Sequence, residues 1–470
     1  MNDSANYRVE RDLLGERRVP AGVYYGVQTL RALENFRISG IVLNHFPNLV
    51  VTLAMVKKAC ALANGDLLKL DPLQVKAIVA ACDEIMAGKL HDQFCVDMLQ
   101  GGAGTSTNMN ANEVIANRAL ELLGRKRGEY KFLHPNIHVN MSQSTNDVYP
   151  TALRLAMIFE LRALGGATQQ LQVALAGKGR EFRSILKMGR TQLQDAVPMS
   201  LGQEFNAFAT TVGEELPRLR DMAALLSEIN LGGTAIGTGL NAECEYRYLA
   251  VAHLREIAGE PLSEAADLVE ATSDMGAFVF LSGLLKRTAI KLSKICNDLR
   301  LLSSGPQCGL NEINLPQNQP GSSIMPGKVN PVIPEVVNQV AFSVIGNDIA
   351  VTMAAEAGQL QLNAMEPLIG YKLLESIRHL AAAMDTLRSD CVVEITANAD
   401  VCGDNLERSV GLVTALNPYL GYGKTSAIAR RALQTGRSVK ELVLEEKLMT
   451  ADQLESLPDP ETVLGPQIRE

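Results

Sequence analysis

The chain has 470 residues, of which 47% are hydrophobic and 20% are charged. This is the composition of an ordinary globular protein, with enough apolar residues for a large core and several domains. The formal net charge of −8 argues against nucleic acid as the main partner, although an acidic protein can still hold a local cationic pocket for a small anion.

Cysteine usage and the apolar runs bear on where the protein resides. Eight cysteines are scattered without a C-x-x-C pair, which favours reduced thiols and suggests neither a zinc ribbon nor a redox pair. The N-terminus has no apolar segment of the kind found in signal peptides. The uncharged apolar run between Asp274 and Lys286 falls far short of the roughly 20 residues of a membrane helix. We therefore predict a cytoplasmic protein without a membrane span.

The first 145 residues mix predicted short helices with turns rich in glycine and asparagine. Two polar clusters lie in or next to this region: "GGAGTSTNMNANE", Gly101 to Glu113, and "SQSTND", Ser142 to Asp147. Between them, "HPNIHVN" (residues 134–140) places two histidines four residues apart. Pro135 argues against a helix at that point, so no metal site is predicted there.

Helical periodicity dominates the middle of the chain, where apolar residues recur at steps of three or four. Each predicted helix would be roughly 40–50 Å long at 1.5 Å per residue, which indicates a bundle of long helices. Several of them are apolar on more than one face, so we expect burial between subunits as well as within one chain. The predicted long helices cover residues 151–183, 203–229, 273–303, 334–363 and 371–397.

Two further polar clusters lie in this middle part. The third is "GRTQLQDA", Gly189 to Ala196, and the fourth is "QPGSSIMPGKVNPVIPE", Gln319 to Glu335. Ten of the thirty residues from 305 to 334 are glycine or proline. A structureless stretch of that length is rare in compact domains unless it is functional. Beyond about residue 400 the pattern predicts a tail of short helices.

The four clusters are dense in serine, threonine and asparagine, and each alone has a simpler explanation. Such residues commonly cap helices, and "GGAGTS" fits a flexible turn that lacks the G-K-[ST] ending of a phosphate loop. Thr191 fits a buried hydroxyl, and Lys328 fits a solvated surface lysine. Taken together, however, hydroxyls, amides and backbone N–H groups beside a lysine would form a cradle for a dicarboxylate, because carboxylate oxygens only accept hydrogen bonds.

A cradle of this kind suits a reaction that builds negative charge on a carboxylate. Removal of a proton beside a carboxylate gives an enediolate, whose extra charge must be stabilised in place. The clusters contain almost no ordinary catalytic acid or base, and a serine is a poor base at neutral pH. A serine can take this role if a nearby cation and aligned amides lower its pKa.

The stretch "GSSIMPGKVNP", Gly321 to Pro331, resembles the signature loop of the aspartase/fumarase superfamily, and the other three clusters match the family's active-site regions in the same order. The resemblance extends from about Asp12 into the C-terminal region. It implies a mostly α-helical fold of three domains: 1–145, 146–398 with the signature loop, and 399–470. It also implies a homotetramer whose central bundles form a core of twenty long helices, with each active site built from three subunits.

Within that superfamily the chain is more similar to the aspartases, as in "DLLGERRVPAGVYYGVQTLRALENF" and "AAEAGQLQLNAMEP". This resemblance implies an aspartate ammonia-lyase, which releases ammonia reversibly from L-aspartate and leaves fumarate. Class II fumarases carry histidine where Gln192 stands and glutamate where Gln319 stands. An amide cannot act as an acid or base at either place, although some aspartases do carry histidine at the first.

Two alternatives remain open from the sequence. One is a class II fumarase, which would act on malate. The other is a structural protein of this fold without activity, as in the related lens crystallins, and the intact Ser322, Lys328 and Asn330 argue against it. The match to argininosuccinate and adenylosuccinate lyases is weaker, because their catalytic histidine has no counterpart that can be placed here. Ile137 stands where relatives usually have aspartate, so a second anion site like that of fumarases is not expected.

The resemblance also implies a role for each matching residue. Ser322 would be the general base that takes the pro-R proton from Cβ, while Lys328, Asn330 and Gln192 would bind the α-carboxylate. No organic cofactor or metal is required, since the substrate's own carboxylate serves as the electron sink. The β-carboxylate and its enediolate would be held by Thr105, Ser144, Thr145 and Ser323, and the amino group by Asn146 and Thr191.

Overall fold

The structure, a computed structural model, describes residues 7–321 and 323–455. This part of the chain is mostly helical, as the periodicity predicted. Its helices are α1 Val27–Asn35, α2 Pro47–Asp66, α3 Pro72–Met86, α4 Thr105–Leu122, α5 Thr145–Glu181, α6 Leu201–Gly213, α7 Glu215–Leu226, α8 Tyr246–Ala258, α9 Leu268–Ser273, α10 Gly276–Leu302, α11 Val332–Glu356, α12 Glu366–Asp390, α13 Ala399–Arg408, α14 Leu412–Leu420, α15 Tyr422–Thr435, α16 Val439–Glu445 and α17 Ala451–Glu455.

Strands are short and form four separate two-stranded sheets among the described residues. Three pairs are antiparallel (β1 with β2, β3 with β4, β7 with β8), and β5 pairs with β6 in parallel. The β3–β4 hairpin is the longest of those that lie near the predicted site residues, and it carries a bulge between Met188 and Arg190. The strands are β1 Tyr7–Asp12, β2 Gly15–Pro20, β3 Leu186–Thr191, β4 Gln194–Ser200, β5 Glu228–Ile229, β6 Ser263–Glu264, β7 Ile313–Asn314 and β8 Thr396–Ala397.

The chain divides into two compact units. The first consists of the described residues of Met1–Gly165 with Pro217–Arg287 and Ser343–Leu380. The second consists of Gly166–Leu216, Thr288–Phe342 and the described residues of Ala381–Glu470. Because each unit is assembled from three chain segments, residues that are far apart in sequence become neighbours within each of them.

In the first unit, α2 packs against α3, α4 and α8. The 20 residues of α2 and the 18 of α4 make these helices longer than the short ones expected for this region. The beginning of α1 is capped by a buried carboxylate from α4: Glu113 accepts hydrogen bonds from the backbone N–H groups of Gly26 and Thr29 at 2.7 and 3.0 Å. A carboxylate at a helix N-terminus satisfies N–H groups that have no partner inside the helix.

The predicted long helices are all present, but one prediction was wrong in its continuity. The stretch 203–229 is two helices, α6 and α7, which are separated at Glu214. Pro217 explains the break, because proline has no N–H to donate to the carbonyl of Gly213 and its ring crowds that carbonyl. The hydrophobic periodicity continues across the break, which is why the pattern alone did not reveal it.

A second prediction was wrong around His134. The segment Pro135–Val139 forms one π-helical turn, with Pro135 at its first position, where the missing N–H costs nothing. His134 caps this turn, since its Nδ1 accepts from the N–H of Asn136 at 3.0 Å, and the ring of His138 accepts from the N–H of His134 at 2.7 Å. Both rings are thus used in local hydrogen bonds.

The C-terminal part of the second unit contains the short helices that the sequence predicted. Helices α14 to α17 share a small core of their own, in which Leu416 and Ile428 are each 1% exposed. In addition, α13 packs on β3 and α14 on β4, so this region supports the β3–β4 hairpin. The support is close, because a Cβ at Gly411 would lie 2.8 Å from the carbonyl oxygen of Ala196.

One helix in the described part of the chain, α11, is long and apolar enough to cross a membrane by length and composition alone. The core helix of a soluble protein meets the same criterion. The apolar stretch considered in the sequence, between Asp274 and Lys286, therefore was not the one closest to a membrane helix.

Candidate active site

The predicted site residues fall into two groups, one in each compact unit. Ser322, the predicted general base, lies outside the described residues. The structure describes the rest of the signature loop, Gly321 and the residues from Ser323 to Pro331. The first unit contains Thr105, Ser144, Thr145 and Asn146, and the second contains Thr191, Gln192, Ser323, Lys328 and Asn330.

Thr105 is the first residue of α4, and a glycine-rich turn leads into it. Its hydroxyl donates to the carbonyl of Gly102 at 2.6 Å, and its side chain is exposed. Gly104 has a φ of +89°, and a Cβ at this position would lie 2.5 Å from the ring of Tyr149. Only glycine fits there, because both the backbone conformation and the close ring exclude a side chain. The turn therefore fixes the start of α4 against α5.

Ser144 caps helix α5, which confirms the simpler explanation for this residue. Its Oγ accepts from the N–H of Asn146 at 3.2 Å, and its own N–H donates to Asp147 Oδ1 at 2.9 Å. This reciprocal pair satisfies two N–H groups at the start of the helix. Thr145, by contrast, is not used as a cap: its Oγ1 accepts from Asn108 Nδ2 on α4 at 3.1 Å.

Asp147 joins this turn to a segment that the sequence reasoning missed. Its Oδ2 accepts from the backbone N–H groups of Gly232 and Thr234 at 3.0 and 3.1 Å. Burial raises the pKa of Asp147 to about 6, and these N–H donors and the Ser144 N–H oppose that rise. The segment has a signal in the sequence, since "LGGTAIGTG" contains four glycines and two threonines in nine residues.

Asn230 and Asn146 make a second connection between the same two segments. Pro150 lies inside α5 and cannot donate to the carbonyl of Asn146. Asn230 replaces the missing donor, because its Nδ2 lies 2.9 Å from that carbonyl oxygen. The Asn146 side chain in turn donates to the carbonyl of Ala235 at 2.7 Å. The glycine-rich segment is therefore part of the framework that positions Asn146.

In the second unit, Thr191 and Gln192 lie at the tip of the β3–β4 hairpin. Thr191 is exposed, so the reading of its hydroxyl as a buried group was wrong for the single chain. Gln192 and Leu193 form the two-residue turn with φ values of +55° and +62°, as in a type I′ turn. Side chains other than glycine, asparagine and aspartate rarely adopt this conformation, and such backbone strain is often found at functional sites.

A buried charge network lies behind this hairpin. The carboxylate of Glu312 is fully buried and lies 2.7 Å from both Arg190 and Lys187, and Lys187 lies 2.6 Å from Glu204. Two cations and two carboxylates therefore compensate each other next to the turn. Gln192 lines a cavity of about 280 Å³ together with Lys187, Arg190 and Glu204.

The signature loop closes back on itself. A Cβ at Gly321 would lie 1.8 Å from the carbonyl oxygen of Lys328, so this position requires glycine. The side chains of Ser323 and Lys328 are exposed, and Asn330 is half-buried. The loop thus presents a hydroxyl and an ammonium to its surroundings, while its two ends are held together by the close backbone contact.

Comparison with known proteins places these features in a family. The sequence model of a family described as Lyase matches residues 15–346, and that of the fumarase C C-terminus matches residues 412–465. A relative named aspartate ammonia-lyase from Pseudomonas aeruginosa is 63% identical, with 100% of this chain and 99% of the relative covered. A relative of the same name from Escherichia coli K12 is 56% identical, with 98% and 97% covered.

Solved structures agree with this assignment. A structure described as fumarate lyase:delta crystallin from Brucella melitensis, bound to cobalt, is 57% identical with a TM-score of 0.95, and 98% of this chain and 100% of that chain are covered. The class II fumarase from Schistosoma mansoni is 34% identical with a TM-score of 0.92 over the same shares of both chains. Both the sequence and the fold therefore show that the chain belongs to the aspartase/fumarase family of lyases.

Proposed function

We propose that this protein is an aspartate ammonia-lyase, which eliminates ammonia from L-aspartate reversibly and gives fumarate. The observation that carries the proposal is the full-length similarity to relatives that bear this name. The amides of Gln192 and Gln319 add support, because neither can act as the acid or base that class II fumarases have at these places. Class II fumarase remains the alternative, since the fold is shared with that enzyme.

The geometry of the first unit supports a role for its residues in binding the β-carboxylate. Thr105 is at the N-terminus of α4 and Thr145 is at that of α5, and both helix ends favour negative charge. The extra charge of an enediolate would be stabilised there by hydroxyl and backbone donors that are already in place. We assign the β-carboxylate to Thr105, Ser144, Thr145 and Ser323, and the amino group to Asn146 and Thr191.

In our proposal the signature loop supplies the base and the cation. Ser322 takes the proton from Cβ, and the ammonium of Lys328 binds the α-carboxylate with Asn330 and Gln192. The exposed position of Lys328 and the closed backbone of the loop support this assignment, because the ammonium is free to reach a bound anion. The ammonia then leaves from Cα, and the reaction requires no organic cofactor or metal, since the electrons are accommodated by the substrate's carboxylate.

We further propose a cytoplasmic homotetramer with active sites shared by three subunits and with three domains, 1–145, 146–398 and 399–470. Exposed apolar side chains on α11 support the association of subunits. Phe342, Ile349 and Met353 are 62%, 61% and 67% exposed in the single chain. An apolar helix face of this length is usually covered by another protein surface.

The reaction can be tested directly with the purified protein. L-aspartate, L-malate and argininosuccinate are offered in parallel, and fumarate formation is followed by its ultraviolet absorbance. We expect fumarate from aspartate alone. Fumarate from malate without turnover of aspartate would replace the proposal with a class II fumarase.

The assignment of the base is tested by Ser322→Ala, which should abolish turnover and leave the subunit assembly and substrate binding largely intact. Ser303→Ala is the matched control, because Ser303 follows α10 directly and its hydroxyl donates to the carbonyl of Arg300 in the last turn of that helix. Near-normal activity of Ser322→Ala would show that another group is the base. Lys328→Met should weaken both substrate binding and turnover, whereas Lys89→Met, at an exposed position of the first unit, should change neither.

A further inference from the structure

A fully buried lysine lies behind the Ser144–Asn146 turn and has no role in the proposed reaction. Lys57 is on α2 and has no exposed surface. Its Nζ lies 2.8 Å from Asn140 Oδ1 and 2.8 Å from Gln143 Oε1. Burial lowers the pKa of Lys57 to about 8, so that it is still mainly an ammonium at neutral pH. Burial of a charge costs free energy unless the charge is hydrogen-bonded, so the two amide oxygens that accept from the ammonium are needed to keep it in the core.

The ammonium determines which way the Asn140 side chain points. An ammonium only donates hydrogen bonds, so Asn140 must present its oxygen to Lys57. The other end of the same amide agrees, because Asn140 Nδ2 donates to the carbonyl of Gln143 at 3.2 Å. The orientation of Asn140 is therefore fixed from both sides.

Asn140 in turn determines the orientation of Asn108. Asn108 has no exposed surface, and its Nδ2 lies 3.2 Å from Asn140 Oδ1. The opposite orientation would place two amide oxygens against each other. The observed orientation is kept although it leaves Asn108 Oδ1 buried without a hydrogen-bond partner in the described part of the chain. A buried oxygen without a hydrogen-bond partner is unfavourable. The hydrogen bonds made by Asn108 Nδ2 must therefore stabilise this orientation by more than the unpaired oxygen costs.

The same Nδ2 group of Asn108 reaches Thr145, with 3.1 Å to its Oγ1. The hydroxyl of Thr145 therefore accepts from Asn108, and its own proton is not used for that bond. Within the described residues Thr145 Oγ1 has no other hydrogen-bond partner. Because the Thr145 hydroxyl accepts a hydrogen bond from Asn108, its own proton is available for donation to a substrate. A bound carboxylate requires such a donor, since its oxygens only accept hydrogen bonds.

From these contacts we infer that Asn108 is a positioning residue for the elimination reaction: held by Asn140 and Lys57, it fixes the Thr145 hydroxyl as a donor to the substrate's β-carboxylate. The inference rests on the proposed function, because it is that reaction in which the carboxylate gains charge. A donor that is oriented before the reaction needs no reorganisation when the enediolate forms. Asn108 itself does not contact the substrate in this scheme.

A double-mutant cycle tests the inference. Asn108→Ala removes the fixed donor, and Thr145→Val removes the hydroxyl while its shape is kept. We expect Thr145→Val to lower kcat with aspartate about 100-fold, as for the loss of one preorganised donor. Asn108→Ala should lower kcat about 10-fold, as expected for a misplaced group. In the double variant Asn108→Ala should add almost nothing, because the hydroxyl on which it acts is absent.

A matched control separates positioning from a structural effect. Asn117 is on the same helix α4, is equally buried, and donates to the carbonyl of Tyr24 at 2.7 Å and to Tyr130. Asn117→Ala should lower the melting temperature and leave kcat unchanged. Lys57→Met is the second probe, since it removes the ammonium with little change in shape, and its effect on kcat should also disappear in the Thr145→Val background.

The outcomes are distinct. If Asn108→Ala keeps full kcat, or if its effect multiplies with that of Thr145→Val, Asn108 does not act through Thr145 and the inference is wrong. If Lys57→Met does not fold, the double-mutant cycle of Asn108→Ala and Thr145→Val is sufficient to test the inference. If the unaltered protein forms no fumarate from aspartate, the proposed function fails first, and the inference fails with it.

Discussion

The guanidinium of Arg190 and the carboxylate of Glu312 form a buried ion pair, with 2.7 Å between Nη1 and Oε1. The other oxygen of Glu312 lies 2.7 Å from Nζ of Lys187, which is 2% exposed. Glu312 also precedes β7, and Arg190 precedes the turn that carries Gln192. The pair thus links the strained hairpin to the segment that leads into the signature loop, within the second unit.

Glu312→Gln should destabilise the protein strongly. It leaves Lys187 and Arg190 buried with less negative charge, and the loss of one partner of a buried ion pair costs about 3–5 kcal/mol. The free energy of unfolding in denaturant measures this, and activity should fall as well, because the hairpin is no longer held. Asp404→Asn is the control: its pair with Arg408 is exposed at 3.6 Å, so the change should stay within about 0.5 kcal/mol. Equal losses for both variants would contradict the prediction.

Asp147→Asn should also reduce stability. The carboxylate accepts three backbone N–H groups, and an amide would turn its NH₂ towards at least one of them. Leaving a buried donor without an acceptor costs about 1–3 kcal/mol. Asp71→Asn is a matched control, because Asp71 caps α3 through the N–H of Leu73, and asparagine caps a helix about as well as aspartate. Thermal unfolding should separate the two variants; parallel small shifts would show that the network at Asp147 tolerates an amide.

The long helices could be predicted because their information is local. Period 3.6 in the apolar residues marked α5, α10, α11 and α12 to within several residues at their ends. The break between α6 and α7 was missed, since periodicity reports which face is buried and not whether every hydrogen bond is made. Pro217 was visible in the sequence and would have revealed the break if it had been weighed against the pattern.

The candidate site could be predicted only in part. Cluster composition and resemblance predicted Ser144, Thr145 and Asn146 as candidate site residues, but the contact of Asn146 with Asn230 joins residues 84 positions apart. No local pattern reveals that Asn230 donates to the carbonyl which Pro150 leaves without a donor. Lys57 was hidden for a similar reason, because a lysine in an apolar helix gives no sign of the side chains that surround it once the chain has folded.

Glu366 should make stability depend on pH. It begins α12, is 1% exposed, and neither of its carboxylate oxygens has a hydrogen-bond partner in the described part of the chain. Burial raises the pKa of Glu366 from 4.5 to about 8, against the opposing charge of Arg154. Between pH 4.5 and about pH 8 the folded protein therefore keeps a proton on Glu366 that the unfolded chain has released. The stability that this proton contributes is fully present below pH 4.5 and is lost as the pH rises through about 8.

Glu366→Gln removes that dependence, because an amide does not titrate. Denaturant unfolding measured from pH 5 to pH 9 should show the variant more stable than the unaltered protein at pH 9, by about 4 kcal/mol, with the difference shrinking towards pH 5. Glu256→Gln, at an exposed position of α8, should follow the unaltered protein throughout. If the stability of Glu366→Gln depends on pH in the same way as that of the unaltered protein, this carboxyl does not hold its proton in the folded state.

Gly104 and Gly88 offer a matched pair for the turn that precedes Thr105. Both have a φ of +89°, but a Cβ at Gly104 would lie 2.5 Å from the Tyr149 ring, whereas one at Gly88 would meet nothing within 4 Å. Gly88→Ala should cost only the backbone term of about 1–2 kcal/mol, and Gly104→Ala should cost about 1–3 kcal/mol more, because the ring must move. Denaturant unfolding measures both. Gly104→Ala should also lower kcat, since the start of α4 shifts with the ring, and equal free-energy losses with unchanged kcat would show that Tyr149 yields without moving Thr105.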